Sequence, residues 1–559
     1  MAAPARMLLN GATAATTLVR TLVLTPLHTP LHTLALAVLA IASVALALVS
    51  PAMAQKQGGT LRIYNSSNPP SASPHEDTTI AVVMPFMAVY NNLVRFDPAK
   101  PHNSFDTIIP ELATGWEWDA TKTRLTFKLR ADVKWHDGKP FTGKDVQCTF
   151  YRLNGKEPDY LRRNPRGIWY EHLTEVTLNG DFEATFVLSQ PQPSLLAMLA
   201  SGYSAIYPCH VSARDMRIKP IGTGPFRFVE FKSNESIRLV RNSDYWMKDR
   251  PYLDAIEWRI VPNRSTRILA FAAGEFDLTQ TADITPPLLK DLKKSAPSAA
   301  CSMLPTNVTT HMLVNRERSP FDNPELRRAM LLSLDRQAFI DILTLGKGKL
   351  AVNMMPPPEG GWGMPIEELK KLPSYGDPFV QREAARKIMA QLGYGPNNKL
   401  KVKVATRDFN TFRDPAVILV DQLNKIYFDA ELDVIESSLW YSRLFKKDYS
   451  VALNLAGAGI DDPDGVLKMG FACKSEANFS QYCNPEVERL LDQQSQEPDA
   501  EKRKALVWRI ERILVEDVAR PIIFHNHAAT CWHSHFKGHV QHENSIYNNW
   551  RFDNVWLDK

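Results

Sequence analysis

The histidines near the carboxyl end are the first residues whose type and spacing suggest a chemistry. A His-x-His pair on a strand places both imidazoles on one face, and imidazole binds nickel, copper and zinc well. One interpretation is therefore a metal-chelate site, and the other is a set of structural or surface histidines; no HExxH sequence supports a zinc enzyme. Six of the 14 histidines lie in this segment: His525, His527, His533, His535, His539 and His542.

Three acids beside a proline, Asp461, Asp462 and Asp464, are the second chemical candidate. A pair of carboxylates can catalyse glycoside hydrolysis, but adjacent acids next to a proline are usually part of a turn. The chain has neither a GxSxG elbow nor a Walker A loop, and the GAG at 457–459 lacks the third glycine of a dinucleotide fingerprint. The sequence therefore predicts a protein that is not an enzyme and needs no cofactor.

The first 54 residues have the composition of an export signal. Arg6 and Arg20 precede an uncharged apolar run, Leu34 to Val49, and the small-residue site Ala52-Met53-Ala54 follows. This run is shorter than the ~20 residues that span a bilayer, so a cleaved signal peptide is favoured over a membrane anchor. We expect cleavage after Ala54 and a periplasmic protein.

Composition and charge exclude several classes of protein. The 559 residues are 44% hydrophobic and 23% charged, which is typical of globular proteins. Chains of this length usually form more than one domain. The formal net charge is only +5, so there is no general reason to expect binding to nucleic acid or to an anionic membrane.

The six cysteines permit disulfides in an oxidising compartment. Cys473 and Cys483 are the closest pair and flank a polar stretch, so we expect them to form a disulfide that closes a loop. The remaining four can pair in three ways, and the sequence does not choose among them: Cys148, Cys209, Cys301 and Cys531.

Local patterns predict the elements that must position these residues. Leu125, Phe127 and Leu129 alternate with polar residues as in a strand, and Thr142 with Asp145 forms a capping-box pattern that opens a helix. Further on, Asn-Pro and Asp-Pro pairs at 323–324, 377–378 and 414–415 predict helix starts, and 400–405 reads as a strand. The first half is therefore predicted to be rich in strands and the second half to be an α/β region.

Four ordered blocks carry a resemblance to one family. They are residues 111–151, which include LTFKLR and VKWHDG, then 221–231 with 241–246, then 321–341, and finally 478–491. In these blocks the chain resembles the family 5 extracellular solute-binding proteins of ABC importers. Members of that family bind peptides, nickel chelates or opines.

The resemblance implies a mixed α/β, two-lobed periplasmic-binding-protein fold with an extra β-rich subdomain. We expect a first lobe at 55–309 with an inserted subdomain at about 91–218, a second α/β lobe at 310–525, and a return to the first lobe at 526–559. The family also implies that the lobes close on a solute and deliver it to a membrane permease. A monomer is expected.

The family comparison gives two candidate anchors for the solute. In peptide-binding relatives an Asp in a Gly-Trp-x-Gly-Asp-like run takes the peptide ammonium, but here the matching Trp and Asp positions hold Ala456 and Gly459. Asp461 either substitutes for that Asp or caps the turn. Arg407, at the end of the strand 400–405, approximately matches an arginine that pairs the peptide carboxylate. Its alternative role is that of a surface loop residue.

Five further candidates follow from their place in the lobes, where aromatic side chains can stack on a solute or simply pack: Tyr64, Asn68, Trp362, Trp440 and Tyr441. The predicted function is periplasmic capture of a small organic solute, peptide-like or of another kind, with an anionic group if Arg407 is its anchor. The alternatives are a nickel-type chelate-binding protein and a secreted hydrolase.

Overall fold

A computed structural model describes residues 55–281, 283–457, 459–545 and 550–559. The predicted signal peptide, residues 1–54, lies outside the described residues. Over the described ranges, no helix is both long enough and apolar enough to cross a membrane.

Strands and helices both run through the whole described chain. The strands are β1 (Thr60–Asn65), β2 (Val94–Phe96), β3 (Ile108–Pro110), β4 (Ala113–Trp118), β5 (Arg124–Leu129), β6 (Leu173–Leu178), β7 (Glu183–Leu188), β8 (Phe226–Lys232), β9 (Ser236–Arg241), β10 (Ala255–Ile260), β11 (Ala300–Val314), β12 (Leu400–Arg407), β13 (Phe428–Ile435), β14 (Val451–Ala456), β15 (Ile522–Trp532), β16 (Phe536–Lys537) and β17 (Trp556–Leu557). The helices are α1 (Ile80–Phe86), α2 (Gly143–Leu153), α3 (Leu195–Ala200), α4 (Ala213–Ile218), α5 (Arg264–Ala272), α6 (Pro286–Ser295), α7 (Pro324–Leu332), α8 (Arg336–Thr344), α9 (Ile366–Leu369), α10 (Pro378–Gln391), α11 (Asn410–Asn424), α12 (Ser437–Phe445), α13 (Met469–Phe471), α14 (Pro485–Gln496) and α15 (Ala500–Glu516).

Two four-stranded sheets form the amino-terminal half. The sheet that defines what we call the first lobe has the order β1-β10-β9-β8, with β1 parallel to β10 and the other pairs antiparallel. The second sheet, β4-β5-β7-β6, is antiparallel throughout. Leu125, Phe127 and Leu129 are buried along one face of β5, as their alternation predicts. The Thr142–Asp145 capping box is also present, at the start of α2.

A five-stranded sheet with the order β13-β12-β14-β11-β15 defines what we call the second lobe. The predicted helix starts at Asn323 and Asp377 are confirmed: each side chain accepts backbone N–H groups of the first turn, and each is followed by a proline at the first helical position. The predicted start at Asp414 is wrong. Helix α11 begins one turn earlier, at Asn410, because its buried face already includes Phe412, so that Pro415 lies inside the helix.

Strands β11 and β15 join the two lobes. Residues 300–305 of β11 pair with 527–532 of β15, and Cys531 there packs with Tyr64 and Phe271 of the first lobe. Further along, Thr309 to Val314 pair with β14 in the second lobe. The register is broken between Pro305 and Thr309, which is where the ladder passes from one lobe to the other.

Three disulfides use all six cysteines. The Cys473–Cys483 pair forms as expected from the sequence. The four cysteines whose pairing the sequence left open form Cys148–Cys209, which joins α2 to the segment before α4, and Cys301–Cys531, across β11 and β15.

Candidate functional site

A cavity of about 370 Å³ lies between the lobes. Thr78, Ile80 and Leu288 line it from the first lobe, and residues from the ends of the second-lobe strands line it from the other side. Its second-lobe wall is largely apolar and includes Phe409, Phe412, Val466, Met469 and Phe479. This volume and mixture of polar and apolar walls suit a small organic molecule.

Arg407 is the last residue of β12 and lines the cavity. Its side chain is buried, with Nε donating to Ser437 Oγ at 3.1 Å and Nη2 donating to Ser67 Oγ at 3.0 Å. Both acceptors are neutral, and desolvation lowers the pKa of the guanidinium. No carboxylate of the described chain forms an ion pair with Arg407, although the charge of Glu436 acts to raise its pKa. The charge of Arg407 is therefore only partly balanced and is available to an anion in the cavity.

Tyr441, on α12, lines the cavity beside Arg407. Burial raises the pKa of its phenol, although the positive charge of Arg407 acts in the opposite direction. The phenol therefore stays protonated near neutral pH. It offers the cavity a neutral hydroxyl next to a cation, which suits an acceptor-rich group on a solute.

Three further arginines reach the cavity, and sequence reasoning missed all three. Arg264 is paired with Asp414 across the lobes, with Nη2 to Oδ2 at 3.1 Å. Arg166 donates to the carbonyl oxygens of Pro74 and Asp77 and lies over the ring of Tyr203. Arg520 donates to Asn353 and lies over the ring of Phe471. None of the three lies in a sequence pattern that would single it out.

The sequence matches the family described as bacterial extracellular solute-binding proteins, family 5, over residues 107–478. The chain belongs to this family. Among curated proteins it is 29% identical to the di/tripeptide-binding protein 1 of Pseudomonas aeruginosa, over 78% of this chain and 83% of that protein. It is 27% identical to heme-binding protein A of Haemophilus influenzae, over 81% of this chain and 84% of that protein.

Solved structures of the family share the fold. The periplasmic binding protein DppA of Helicobacter pylori, in complex with the peptide STSA, superposes with a TM-score of 0.79. It is 24% identical and covers 90% of this chain, and this chain covers 99% of it. The predicted mixed α/β, two-lobed architecture and the predicted role as a solute-binding protein are thus confirmed.

Asp461 of this family 5 protein does not line the cavity. Its Oδ2 accepts the Gly361 N–H at 2.7 Å, and its carbonyl oxygen accepts Trp362 Nε1–H at 2.9 Å. Burial raises the pKa of this carboxyl group to about 7. Trp362 also lies under the guanidinium of Arg503. Asp461 and Trp362 therefore hold two second-lobe segments together.

The other candidates also lie outside the cavity lining. Trp440 is fully buried, packs edge-on against Phe412, and donates from Nε1 to Asn454 Oδ1 at 3.1 Å. Tyr64 is fully buried, and its hydroxyl oxygen accepts the Gln280 N–H. Asn68 bonds to Ser233 and Asn234 in a surface turn. Their contacts are those of packing residues.

The carboxyl-terminal histidines do not gather around one point. His525 and His533 bond to the carbonyl oxygens of Val352 and Phe271, and His535 bonds to Asp277. His527 alone of the six lines the cavity. Over the described ranges, the only group of three residues close enough to share a metal ion is Glu171, His172 and Asp492, and the ammonium of Lys468 already contacts all three.

Proposed function

We propose that this protein captures a small organic solute bearing an anionic group, in the periplasm, and delivers it to the permease of an ABC importer. The observation that carries the proposal is Arg407, a buried guanidinium that lines the interlobe cavity and has only neutral hydrogen-bond partners in the described chain. A buried charge without a counterion costs several kcal/mol. An anionic group on the solute would remove that cost and gain charge-assisted hydrogen bonds.

The cavity offers no comparable anchor for a cationic group. Asp414 is the one carboxylate among the described lining residues, and it is already paired with Arg264. A peptide ammonium would therefore be buried without a carboxylate, which disfavours the α-amino recognition of peptide-binding relatives.

Closure of the lobes would couple binding to transport. Among the described residues, polar contacts that cross the cleft beside the cavity include Arg407 to Ser67 and Arg264 to Asp414. A solute that touches both walls favours this closed arrangement over an open one, because its contacts with the first lobe exist only when the lobes meet. The permease can then distinguish the loaded protein from the empty one, because the loaded protein is closed.

The export signal at 1–54 supports cleavage after Ala54 and a periplasmic location, and the proposed lobes are 55–309 with an insert at about 91–218, 310–525, and 526–559. We propose a monomeric carrier without catalytic activity.

Native mass spectrometry of the mature protein, purified gently from the periplasm, tests the proposal. We expect a reproducible added mass, and fragmentation of the released solute should show a carboxylate or another acidic group. The variant Arg407→Gln should be purified without that mass. A neutral or purely cationic solute, retained equally by Arg407→Gln, would contradict the proposal. If the added mass is that of a peptide, the protein recognises its solute as peptide-binding relatives do.

A further inference from the structure

Arg520 brings a second buried guanidinium to the cavity that Arg407 lines. It lies just before β15 and is only 8% exposed. Its Nη2 donates to Asn353 Oδ1 at 3.1 Å, and its Nε has no hydrogen-bond partner within the described chain. Asn353 also lines the cavity. A buried cation is therefore presented to the cavity together with an amide.

Glu511 is a buried acid whose charge acts on Arg520, but its oxygens are committed to other partners. Glu511 accepts the backbone N–H groups of Asn353 and Met354 and the side-chain amide of Asn353, at 3.2, 2.8 and 2.8 Å. It forms no ion pair with Arg520 among the described residues, and burial raises the pKa of its carboxyl group to about 7. The charge of Arg520 is thus incompletely balanced by the protein.

The position of the guanidinium is fixed by packing. Cζ of Arg520 lies 4.3 Å from the ring centroid of Phe471. A Cβ atom added to Gly470 would come within 2.8 Å of Nη2, so the neighbouring backbone approaches the guanidinium as closely as a glycine allows. Such a group is preorganised for a ligand rather than free to turn into solvent.

Two other buried arginines of this chain are paired with carboxylates. Arg267 pairs with the buried carboxylate of Asp283 at 2.6 Å, and Arg503 pairs with Asp462 at 2.8 Å. Arg520 and Arg407 are instead bonded to neutral side-chain oxygens and both border the cavity. Arg336 is also buried on neutral acceptors, the carbonyl oxygens of Ile522 and Ser374, but it does not line the cavity.

We propose that Arg520 and Asn353 form a second anion subsite, so that the preferred solute carries two acidic groups, one held by Arg407 and the other by Arg520. The inference rests on the proposed function, because it uses Arg407 as the first anchor. The apolar wall that includes Phe412 and Met469 then faces the part of the solute that joins the two acidic groups. The solute class is a dicarboxylate or a similar dianion without a required ammonium group.

The test compares linear α,ω-dicarboxylates, from succinate to sebacate, with their half-amides, which keep the length and lose one charge. Binding is measured by calorimetry on the mature protein freed of its solute. We expect the best diacid to bind at least about tenfold more tightly than its half-amide. Arg520→Gln should reduce that ratio to about one while changing half-amide affinity by less than about twofold. Arg407→Gln should weaken both ligands.

The outcomes separate the two proposals. If Arg520→Gln weakens diacid and half-amide by the same factor, or leaves the ratio unchanged, the second subsite is overturned and the Arg407 anchor stands. If the wild type binds no acid of the series, the second subsite is overturned, while the Arg407 anchor is judged separately by the mass of the solute that is purified with the protein. Should Arg520→Gln fail to fold, Arg520→Lys keeps a positive charge and should keep most of the diacid preference. Arg316→Gln is the matched control, because Arg316 bonds to the carbonyl oxygens of Asp517 and Val518 away from the cavity.

Discussion

Arg407 Nη2 lies 3.0 Å from Ser67 Oγ, so a cation at the end of a second-lobe strand donates to a hydroxyl of the first lobe. The same guanidinium lines the interlobe cavity. The group proposed to hold the solute therefore also holds the lobes together. Solute binding and lobe closure are coupled through the Arg407 side chain, because both require the same orientation of its guanidinium.

Replacement of Arg407 by glutamine should weaken binding of the solute that is purified with the protein. Loss of a buried charge-assisted pair costs about 2–4 kcal/mol, or roughly 30- to 1,000-fold in affinity. Calorimetry measures this directly. Arg413→Gln is the control, since Arg413 is exposed and pairs with Asp408. Unchanged affinity in Arg407→Gln would show that this anchor is wrong.

Removal of the Ser67 hydroxyl should weaken closure of the lobes, because that hydroxyl accepts a hydrogen bond from Arg407. A hydrogen bond to a charged group contributes about 1.5–3 kcal/mol, so Ser67→Ala should speed dissociation of the solute, which stopped-flow fluorescence can follow. A double-mutant cycle with Arg407→Gln provides the control. If Ser67→Ala has its full effect in the Arg407→Gln background, the two residues are not coupled.

Much of the fold could be predicted because its signals are local. Alternation at Leu125 to Leu129 and the caps at Asn323 and Asp377 are set by a few neighbouring residues. Arg407 could be singled out for a similar reason, since it ends a recognisable strand in a position that the family resemblance makes meaningful.

The rest of the site depends on contacts between distant segments. Trp440 and Tyr441 are neighbours on α12, yet one is buried against Phe412 while the other lines the cavity. No sequence pattern distinguishes them, because helix packing decides which side chain points where. Arg520 reaches the cavity only because it packs against Phe471 and bonds to Asn353, which are far from it in sequence.

The interlobe ion pair between Arg264 and Asp414 should contribute modestly and in a salt-dependent way. Asp414 is 38% exposed, so solvent screens the pair and its contribution should be at most about 1 kcal/mol. Asp414→Asn should therefore weaken solute binding by up to about fivefold in low salt. Titrations at low and high salt check this. An effect that persists undiminished in high salt would mean that Asp414 contacts the solute instead.

Loss of the Cys473–Cys483 disulfide should affect both stability and binding. It closes a short loop, whose cross-link is expected to stabilise the fold by about 2–3 kcal/mol. The loop also holds Ala477 and Phe479 at the cavity, with the Phe479 carbonyl accepting the Tyr449 hydroxyl. The double variant Cys473→Ser/Cys483→Ser should thus lose solute affinity as well as denaturant resistance. Cys148→Ser/Cys209→Ser, away from the cavity lining, should lose stability alone.

Asp461 should make the protein less stable as the pH rises towards neutrality. Burial raises the pKa of its carboxyl group to about 7, so between about pH 4 and 7 the folded state keeps a proton that the unfolded state has lost, and stability falls as pH increases. Asp461→Asn removes this dependence, while its amide oxygen can still accept the Gly361 N–H. Denaturant titrations measure the free energy of unfolding of both proteins. From pH 5 to pH 8 this free energy should rise in the variant by about 2 kcal/mol relative to the wild type. Asp448→Asn, at an exposed acid of the same lobe, should show no such gain, and a parallel pH profile for Asp461→Asn and wild type would contradict the assignment.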